Sequence, residues 1–198
     1  ISYSYLGTNM YVDKINISNE KSNVIKLISI GYLNPVKKID KLFSDLDNSD
    51  INIDWVHIGN GPQYSKLSVK EVKNRNLKVK FLGNLDSNEI FNLLRLNYFD
   101  FSVCYSFDEG LPIFLTEVTK FGIPIISYNV GGVSEIVLPD SGVLMDKHQN
   151  IVDVLININK NSFRNRELRL KIKYNSENMF NLDKNLDLFY GNLLKKKE

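Results

Sequence analysis

Apolar and polar residues alternate along this chain with two different periods. Short apolar runs of strand length are separated by segments in which apolar residues recur every three to four positions, a pattern typical of alternating strands and helices. The apolar runs predict strands at residues 24–31, 53–59, 77–82, 99–105, 123–128 and 142–145. The intervening segments predict helices at 38–46, 63–74, 87–96, 111–121 and 132–137, and a largely helical stretch from 149 to 196.

The order of these elements predicts an α/β fold with a doubly wound, parallel, six-stranded sheet of the Rossmann-like type. Successive right-handed crossovers would place helices on both faces and ligands at the carboxyl ends of the strands. The turns at Gly59, Gly83, Glu109 and Gly131 all follow predicted strands. They should therefore lie together at the ligand-binding edge of the sheet.

The same pattern divides the chain into three segments. Residues 1–23 are polar and irregular, and we expect a lead-in segment or linker there. Residues 24–181 should form the sheet domain, and residues 182–198 a C-terminal helix. The chain begins at Ile1 rather than at methionine, which leads us to expect a piece of a longer protein.

The length and charge of the chain limit its class. With 198 residues it can bury one ample core, and a net charge of +2 shows no basic excess of the kind that nucleic-acid-binding proteins carry. Cys104 is the only cysteine, so no intrachain disulfide is possible. No cluster of cysteine and histidine suits a metal, and no apolar run reaches the roughly 18 residues of a membrane span.

The stretch from Ser106 to Glu117 carries the clearest candidate chemistry. Glu109 and Glu117 stand eight positions apart around a Gly-Leu-Pro break, with a predicted strand before it and a predicted helix after it. Pro112 suits the first helical position, and the backbone N–H groups of Gly110 and Leu111 should open a helix N-terminus that favours anions. Two carboxylates that flank an anion site suit a ligand that is part phosphate and part polyol.

Five further segments surround this stretch in a fixed order. They are Ser29-Ile-Gly-Tyr-Leu-Asn-Pro-Val-Lys37, Trp55-Val-His-Ile-Gly-Asn-Gly-Pro62, Val79-Lys-Phe-Leu-Gly83, Phe121-Gly-Ile-Pro-Ile-Ile126 and Asn129-Val-Gly-Gly-Val-Ser-Glu-Ile-Val137. With the Glu-x7-Glu spacing, they resemble the C-terminal, donor-binding half of the retaining group 1 glycosyltransferases of the GT-B architecture. The resemblance spans residues 25–145 and is strongest to bacterial members that build surface polysaccharides.

The resemblance implies a role for each motif residue. Glu117 would hold the ribose hydroxyls of a nucleotide sugar, and Glu109 would contact the donor hexose near the reacting carbon. Gly110 and Leu111 would offer N–H groups to sugar or phosphate oxygens. Lys37 would neutralise the diphosphate leaving group, so that Glu109 and Lys37 are the predicted catalytic residues.

The resemblance also assigns four residues of the neighbouring turns to the donor site. They are Gly83, Gly131, Gly132 and Glu135. For Glu135, a cap of its own short helix is the alternative interpretation.

One position departs from the family pattern. The arginine that usually partners the lysine is Tyr32 here, and a tyrosine brings no charge to a phosphate contact. Lys38 stands next to Lys37, where many relatives have glycine, and is one candidate for compensation. A branch of the family that uses a single cation is the alternative, and we favour it.

These correspondences predict a hexosyltransferase that acts on a nucleotide-diphosphate sugar, with UDP expected ahead of GDP. The acceptor would be a glycan or a lipid-linked glycan in capsular, exopolysaccharide or lipopolysaccharide synthesis. The resemblance implies that neither a protein nucleophile nor a metal ion is needed. It also implies an acceptor-binding domain N-terminal to this one, a C-terminal helix that crosses to it, an inactive isolated fragment, and a location in the cytoplasm or at the inner face of the membrane.

Two other functions remain open at this stage. One is a sugar-nucleotide epimerase of the same architecture, in which the carboxylates act as acids and bases. The other is a non-catalytic module that scaffolds a polysaccharide assembly complex, for which Tyr32 is the main support. Asp45-Leu-Asp47 is similar to an Asp-x-Asp metal motif but is expected to be a solvated helix cap, and His57 is expected to be a core residue.

Overall fold

The computed structural model of this protein describes residues 8, 10–17 and 22–195. Its centre is a six-stranded parallel sheet in the order β3-β2-β1-β4-β5-β6. The strands are β1 Ile25–Ile30, β2 Ile53–Ile58, β3 Leu77–Phe81, β4 Phe101–Cys104, β5 Ile125–Tyr128 and β6 Gly142–Met145. The predicted doubly wound α/β fold is confirmed, with the strand order reversing between β1 and β4.

The helices connect the strands and continue after the sheet. Within the described ranges they are α1 Ile39–Asp47, α2 Tyr64–Leu67, α3 Ser87–Leu96, α4 Ile113–Lys120, α5 Val133–Ile136, α6 Ile151–Asn157, α7 Lys160–Arg164, α8 Arg166–Met179 and α9 Leu182–Lys195. A 3-10 turn at Pro35–Lys37 precedes α1. None of the helices in this part of the chain is long and apolar enough to cross a membrane.

The core follows from the position of the strands. β4 and β5 are central strands with helices on both faces, and all four residues of each are buried. In the outer strand β3, exposed lysines alternate instead with apolar residues that are buried or partly buried. The apolar runs of the sequence therefore mark the middle of the sheet, and the alternating run marks its edge.

The predicted helix over residues 63–74 is wrong beyond its first turn. α2 ends at Leu67, and Val69 is 81% exposed, so no apolar face continues along the segment. The carboxylate of Asp47 accepts hydrogen bonds from the backbone N–H groups of Lys73 and Asn74, at 2.8 and 3.0 Å. These contacts hold the chain in a turn that is incompatible with a helix.

The expectation of a solvated cap at Asp45-Leu-Asp47 is wrong as well. Asp47 is only 8% exposed because it supports the turn at residues 73–74. Asp45 accepts a hydrogen bond of 2.6 Å from the hydroxyl of Tyr105, and it pairs with Lys41 at 2.8 Å. Both carboxylates therefore tie α1 to neighbouring elements of the domain.

The amino edge of the sheet is fixed by two arginines. Arg164 binds the carboxylate of Asp100 with 2.6 and 3.1 Å contacts, just before β4. Arg169, almost fully buried, donates to the carbonyl groups of Phe99 and Asp100 and to the hydroxyl of Tyr98. α7 and α8 are thus anchored at the edge opposite the predicted site.

The part of the lead-in segment that the structure describes packs against the domain. Val12 and Ile15 are buried, and the side-chain amide of Asn16 donates to the carbonyl groups of Arg95 and Asn97 at the end of α3. Residues 1–7, 9 and 18–21 of that predicted segment, and residues 196–198 of the predicted C-terminal helix, lie outside the described residues.

Candidate functional site

The Gly-Gly turn after β5 lies directly against the loop after β4. Gly131 has a φ of 51°, and a Cβ atom at this position would overlap the carbonyl oxygen of Glu109. The N–H of Gly132 donates a 2.8 Å hydrogen bond to the carbonyl oxygen of Gly110. Because both residues are glycines, two loops that are distant in the sequence can touch through their backbones. The structure therefore brings four of the predicted site residues together.

Lys37 and Glu109 form an ion pair. The ammonium nitrogen of Lys37 lies 2.6 Å from Oε1 of Glu109, whose side chain is 7% exposed, while that of Lys37 is 28% exposed. The thiol of Cys104 lies 3.6 Å from the same carboxylate oxygen. The two residues predicted to be catalytic are therefore in direct contact, with the lysine on the solvent side.

The 3-10 turn that carries Lys37 has an identifiable sequence cause. Asn34 caps it, since its side-chain oxygen accepts the N–H of Lys37 at 3.1 Å, and Pro35 occupies its first position. The turn follows the carboxyl end of β1 and precedes α1. This position directs the lysine toward the edge where the strand order reverses.

Lys38 and Tyr32 flank the ion pair differently from each other. Lys38 has a left-handed backbone, with a φ of 51°, a conformation that glycine adopts without strain. Its ammonium group lies 4.0 Å from the ring centroid of Phe107, in the loop that also carries Glu109. Tyr32 is 57% exposed in the loop after β1. Of the two, Lys38 is the one held against the Glu109 loop.

Glu117 lies in the second turn of α4 and is half-buried. Burial raises the pKa of its carboxyl group, and the neighbouring Lys120 opposes that shift. The buried residues Leu115 and Val118 show that this helix packs closely on the sheet, as their apolar character predicts. Glu117 is thus a partly desolvated carboxylate on a rigid element.

α4 starts two residues later than the predicted range of 111–121. The helix begins at Ile113, and Pro112 is its N-cap because its ψ of 103° is extended. Gly110 and Leu111 therefore precede the helix, and their N–H groups lie in the connecting turn rather than in the first helical turn. The expectation that these N–H groups open the helix is therefore wrong, and an anion that they bind would lie at this turn.

The remaining predicted site residues lie at the same edge. The carbonyl oxygen of Gly83 accepts the N–H of Gly59 at 2.8 Å, and Gly83 has a φ of 70°. A Cβ atom on Gly59 would in turn overlap the carbonyl oxygen of Gly31. The ends of β1, β2 and β3 are therefore packed backbone to backbone. Glu135 is exposed in α5, immediately after the Gly-Gly turn.

His57 is a core residue, as expected. It is fully buried, and its Nδ1 lies 2.8 Å from the hydroxyl of Ser29, which also accepts the indole N–H of Trp55 at 2.9 Å. Burial lowers the pKa of His57 to about 4, so that the ring is neutral near pH 7. The residue supports the second strand and is not placed to act as a base.

Sequence reasoning missed Ser106. Its hydroxyl is buried between the 3-10 turn of Lys37 and the loop of Glu109. The available signal was a serine that ends a buried apolar run three positions before Glu109. Across residues 8, 10–17 and 22–195, no group of three or more His, Cys, Asp or Glu side chains is arranged to hold a metal ion.

Comparison with known proteins identifies the family. The family model described as glycosyl transferases group 1 matches residues 12–179. An uncharacterized glycosyltransferase of Methanocaldococcus jannaschii is 30% identical over 120 residues, which cover 60% of this chain and 33% of that protein.

Solved structures share the fold at low sequence identity. The apo form of the lipopolysaccharide outer core galactosyltransferase WaaB has a TM-score of 0.65 and 18% identity, over 88% of this chain and 54% of that one. HepE of Anabaena in complex with UDP-glucose has a TM-score of 0.67 and 15% identity, over 87% of this chain and 49% of that one. The chain spans a third to a half of the length of these proteins.

Proposed function

The chain belongs to the group 1 glycosyl transferases, and we propose that it is the donor-binding half of a retaining hexosyltransferase of the GT-B architecture. The observation that carries this proposal is the ion pair between Lys37 and Glu109, set against the Gly131–Gly132 turn at the carboxyl edge of the sheet. A cation and a buried carboxylate beside a closely packed glycine turn suit a ligand with a diphosphate and a sugar.

Each residue has a distinct proposed task. Lys37 contacts the diphosphate, a contact that strengthens as negative charge develops on the leaving group. Glu109 accepts hydrogen bonds from hydroxyl groups of the donor hexose, and Glu117 accepts them from the ribose diol. The turn of Gly110 and Leu111 offers N–H groups to the sugar or phosphate oxygens.

The surrounding residues complete the proposed donor site. Gly83, Gly131 and Gly132 let the backbone approach the ligand closely, and Glu135 lies on the sugar and diphosphate side. We propose Lys37 as the single cation of this site; Lys38, whose ammonium group lies over the ring of Phe107, is the alternative as a second cation in place of the family arginine. Tyr32, being exposed, can add one hydrogen bond to a phosphate but no charge.

We propose a UDP-sugar as the donor and a glycan or lipid-linked glycan as the acceptor. HepE of Anabaena, which shares the fold, binds UDP-glucose, and WaaB is a galactosyltransferase of the lipopolysaccharide outer core. Both support a hexose donor, and WaaB supports a role in surface-polysaccharide synthesis. We also propose that the protein acts in the cytoplasm, either in solution or at the inner face of the membrane.

The proposed reaction retains the configuration of the donor sugar without a protein nucleophile or a metal ion. The donor phosphate assists the acceptor hydroxyl on the same face of the sugar, so the protein contributes positioning and stabilisation of the departing diphosphate. The anomeric configuration of the product made by this chain together with its acceptor-binding domain, read by NMR coupling constants, tests this directly. An inverted product would overturn the retaining mechanism.

We propose that residues 1–23 lead in from an N-terminal acceptor-binding domain and that residues 182–198 cross back to it. In support, Leu186, Leu188 and Phe189 of α9 are 38%, 53% and 47% exposed, an apolar surface suited to a further domain. The isolated chain should therefore bind the nucleotide and transfer no sugar. Turnover by the isolated chain would contradict this division of labour.

Thermal unfolding with UDP, GDP and ADP tests the proposed function. A ligand that binds only the folded state, present at a concentration about 100 times its dissociation constant, stabilises that state by about 2.7 kcal/mol. We expect UDP to raise the midpoint for the native chain but not for Glu117→Ala. The matched control is Glu71→Ala, which removes an exposed carboxylate in the segment before β3. Failure of all three nucleotides to shift the midpoint would count against a donor-binding domain and favour the scaffold module.

A further inference from the structure

Ser106 lies between the two backbone segments that carry Lys37 and Glu109. Its hydroxyl oxygen is 3.2 Å from the carbonyl oxygen of Val36 and 2.8 Å from that of Asp108. It also accepts the N–H of Asp108 at 3.3 Å, and the residue is 1% exposed. Each bonded carbonyl belongs to the residue immediately before one member of the ion pair.

This arrangement connects two segments that are far apart in the sequence. Lys37 and Glu109 are separated by 72 positions. The Ser106 hydroxyl contacts the main chain of both segments within one residue of each charged side chain. The hydroxyl has one proton, which is shared between the two carbonyl oxygens or alternates between them, with the shorter contact to Asp108. Because this hydrogen bond is directional, it fixes the distance between the two backbones more closely than apolar contact does.

We propose that Ser106 is a positioning residue that sets the separation of Lys37 and Glu109 and so prepares Lys37 for the diphosphate. This inference rests on the proposed donor site. Ser106 acts only through the backbone and touches no ligand. Its proposed effect on UDP binding passes through Lys37, whereas an effect through the Gly110–Leu111 turn would persist when Lys37 is replaced.

Hydrogen exchange provides a test that needs no ligand. The amide of Lys37 donates to the main-chain and side-chain oxygens of Asn34, at 3.2 and 3.1 Å, in the turn that Ser106 holds. We expect Ser106→Ala to speed exchange of this amide. The control is Ser102→Ala on β4, which removes a buried hydroxyl that makes no hydrogen bond within the described residues. Equal exchange in the native chain and in Ser106→Ala would overturn the inference.

UDP affinity in different backgrounds provides the second test. Loss of one hydrogen bond should weaken UDP binding about twofold to tenfold in Ser106→Ala. In the Lys37→Met background the same substitution should change the affinity by less than about twofold, because its route is already removed. In the Glu117→Gln background the full effect should remain. A merely structural role would weaken binding equally in all backgrounds, and that result would overturn the inference.

The two tests separate this inference from the proposed function. If Lys37→Met and Glu117→Gln leave UDP affinity unchanged, the proposed donor site is wrong and the inference fails with it. If both weaken UDP binding but Ser106→Ala acts additively with Lys37→Met, only the role of Ser106 is wrong.

Discussion

Replacing Glu109 by glutamine should tighten the binding of UDP. The ammonium group of Lys37 is held by Glu109 at 2.6 Å, with the carboxylate side chain only 7% exposed. A diphosphate has to draw the lysine away from this partner. The substitution removes that competition and keeps the size of the side chain.

The magnitude follows from the strength of the contact. A hydrogen bond between charged groups contributes about 1.5–3 kcal/mol, and the partial exposure of Lys37 favours the lower end. An ammonium group has three N–H donors, so part of the contact can persist when the phosphate binds. At about 1.4 kcal/mol per factor of ten, we expect UDP to bind roughly threefold to tenfold more tightly.

Isothermal titration of UDP into the native chain, Glu109→Gln and Asp108→Asn provides the assay. Asp108 is the adjacent, exposed carboxylate, so its substitution removes the same charge without removing the observed ion pair. UDP-glucose should gain less than UDP in Glu109→Gln, since the hexose loses its proposed carboxylate partner. Weaker UDP binding in Glu109→Gln, or a gain no larger than that in Asp108→Asn, would refute the reasoning.

Three further substitutions probe the loops, the core and the ribose site. Gly131→Ala should lower the free energy of unfolding by at least about 2 kcal/mol in urea titrations, because of its left-handed backbone and the overlapping carbonyl, whereas Gly110→Ala has open space and should be nearly neutral. Because burial lowers the pKa of His57 from 6.5 to about 4, the unfolded state takes up a proton first as the pH falls, and the free energy of unfolding should drop by about 3 kcal/mol between pH 7 and pH 4. His57→Gln should remove this pH dependence of the free energy of unfolding, whereas substitution of the exposed His148 should not. A pH dependence that persists in His57→Gln would contradict the assignment to His57. Burial raises the pKa of Glu117, so this carboxylate takes up a proton at a higher pH than an ordinary glutamate does. The affinity for UDP should therefore begin to fall at that higher pH as the solution is acidified. Titrations of Glu117→Gln should show weak binding that lacks this pH dependence.

The sheet was predictable because each strand is a compact apolar run with a clear end. Each of the six strands falls inside its predicted range or coincides with it. α3 begins at residue 87 as predicted, directly after Asp86, which forms a capping box with Glu89. The helix after β2 was overestimated, and at Lys73 the chain is held in a turn by Asp47, which lies 26 positions earlier. No local pattern reports such a contact.

The candidate site was predictable only in part for the same reason. The carboxyl-edge rule correctly indicated that the loops of Glu109 and Gly131 lie together, since it depends on topology alone. The pairing of Lys37 with Glu109 and the bridge made by Ser106 depend on side-chain distances across two connections. The sequence supplies the residues for these contacts but not their geometry.

An amide NMR titration of the isotope-labelled chain with UDP tests the central claim most directly. The account predicts that the largest shift changes fall on residues 31–38, 83, 109–117 and 131–135, at the carboxyl edge of the sheet. Changes centred instead on the groove of about 360 Å³ that runs over β1, β2 and β3 beside the end of α3, lined by Lys26, Asp54 and Tyr98 among others, would contradict it.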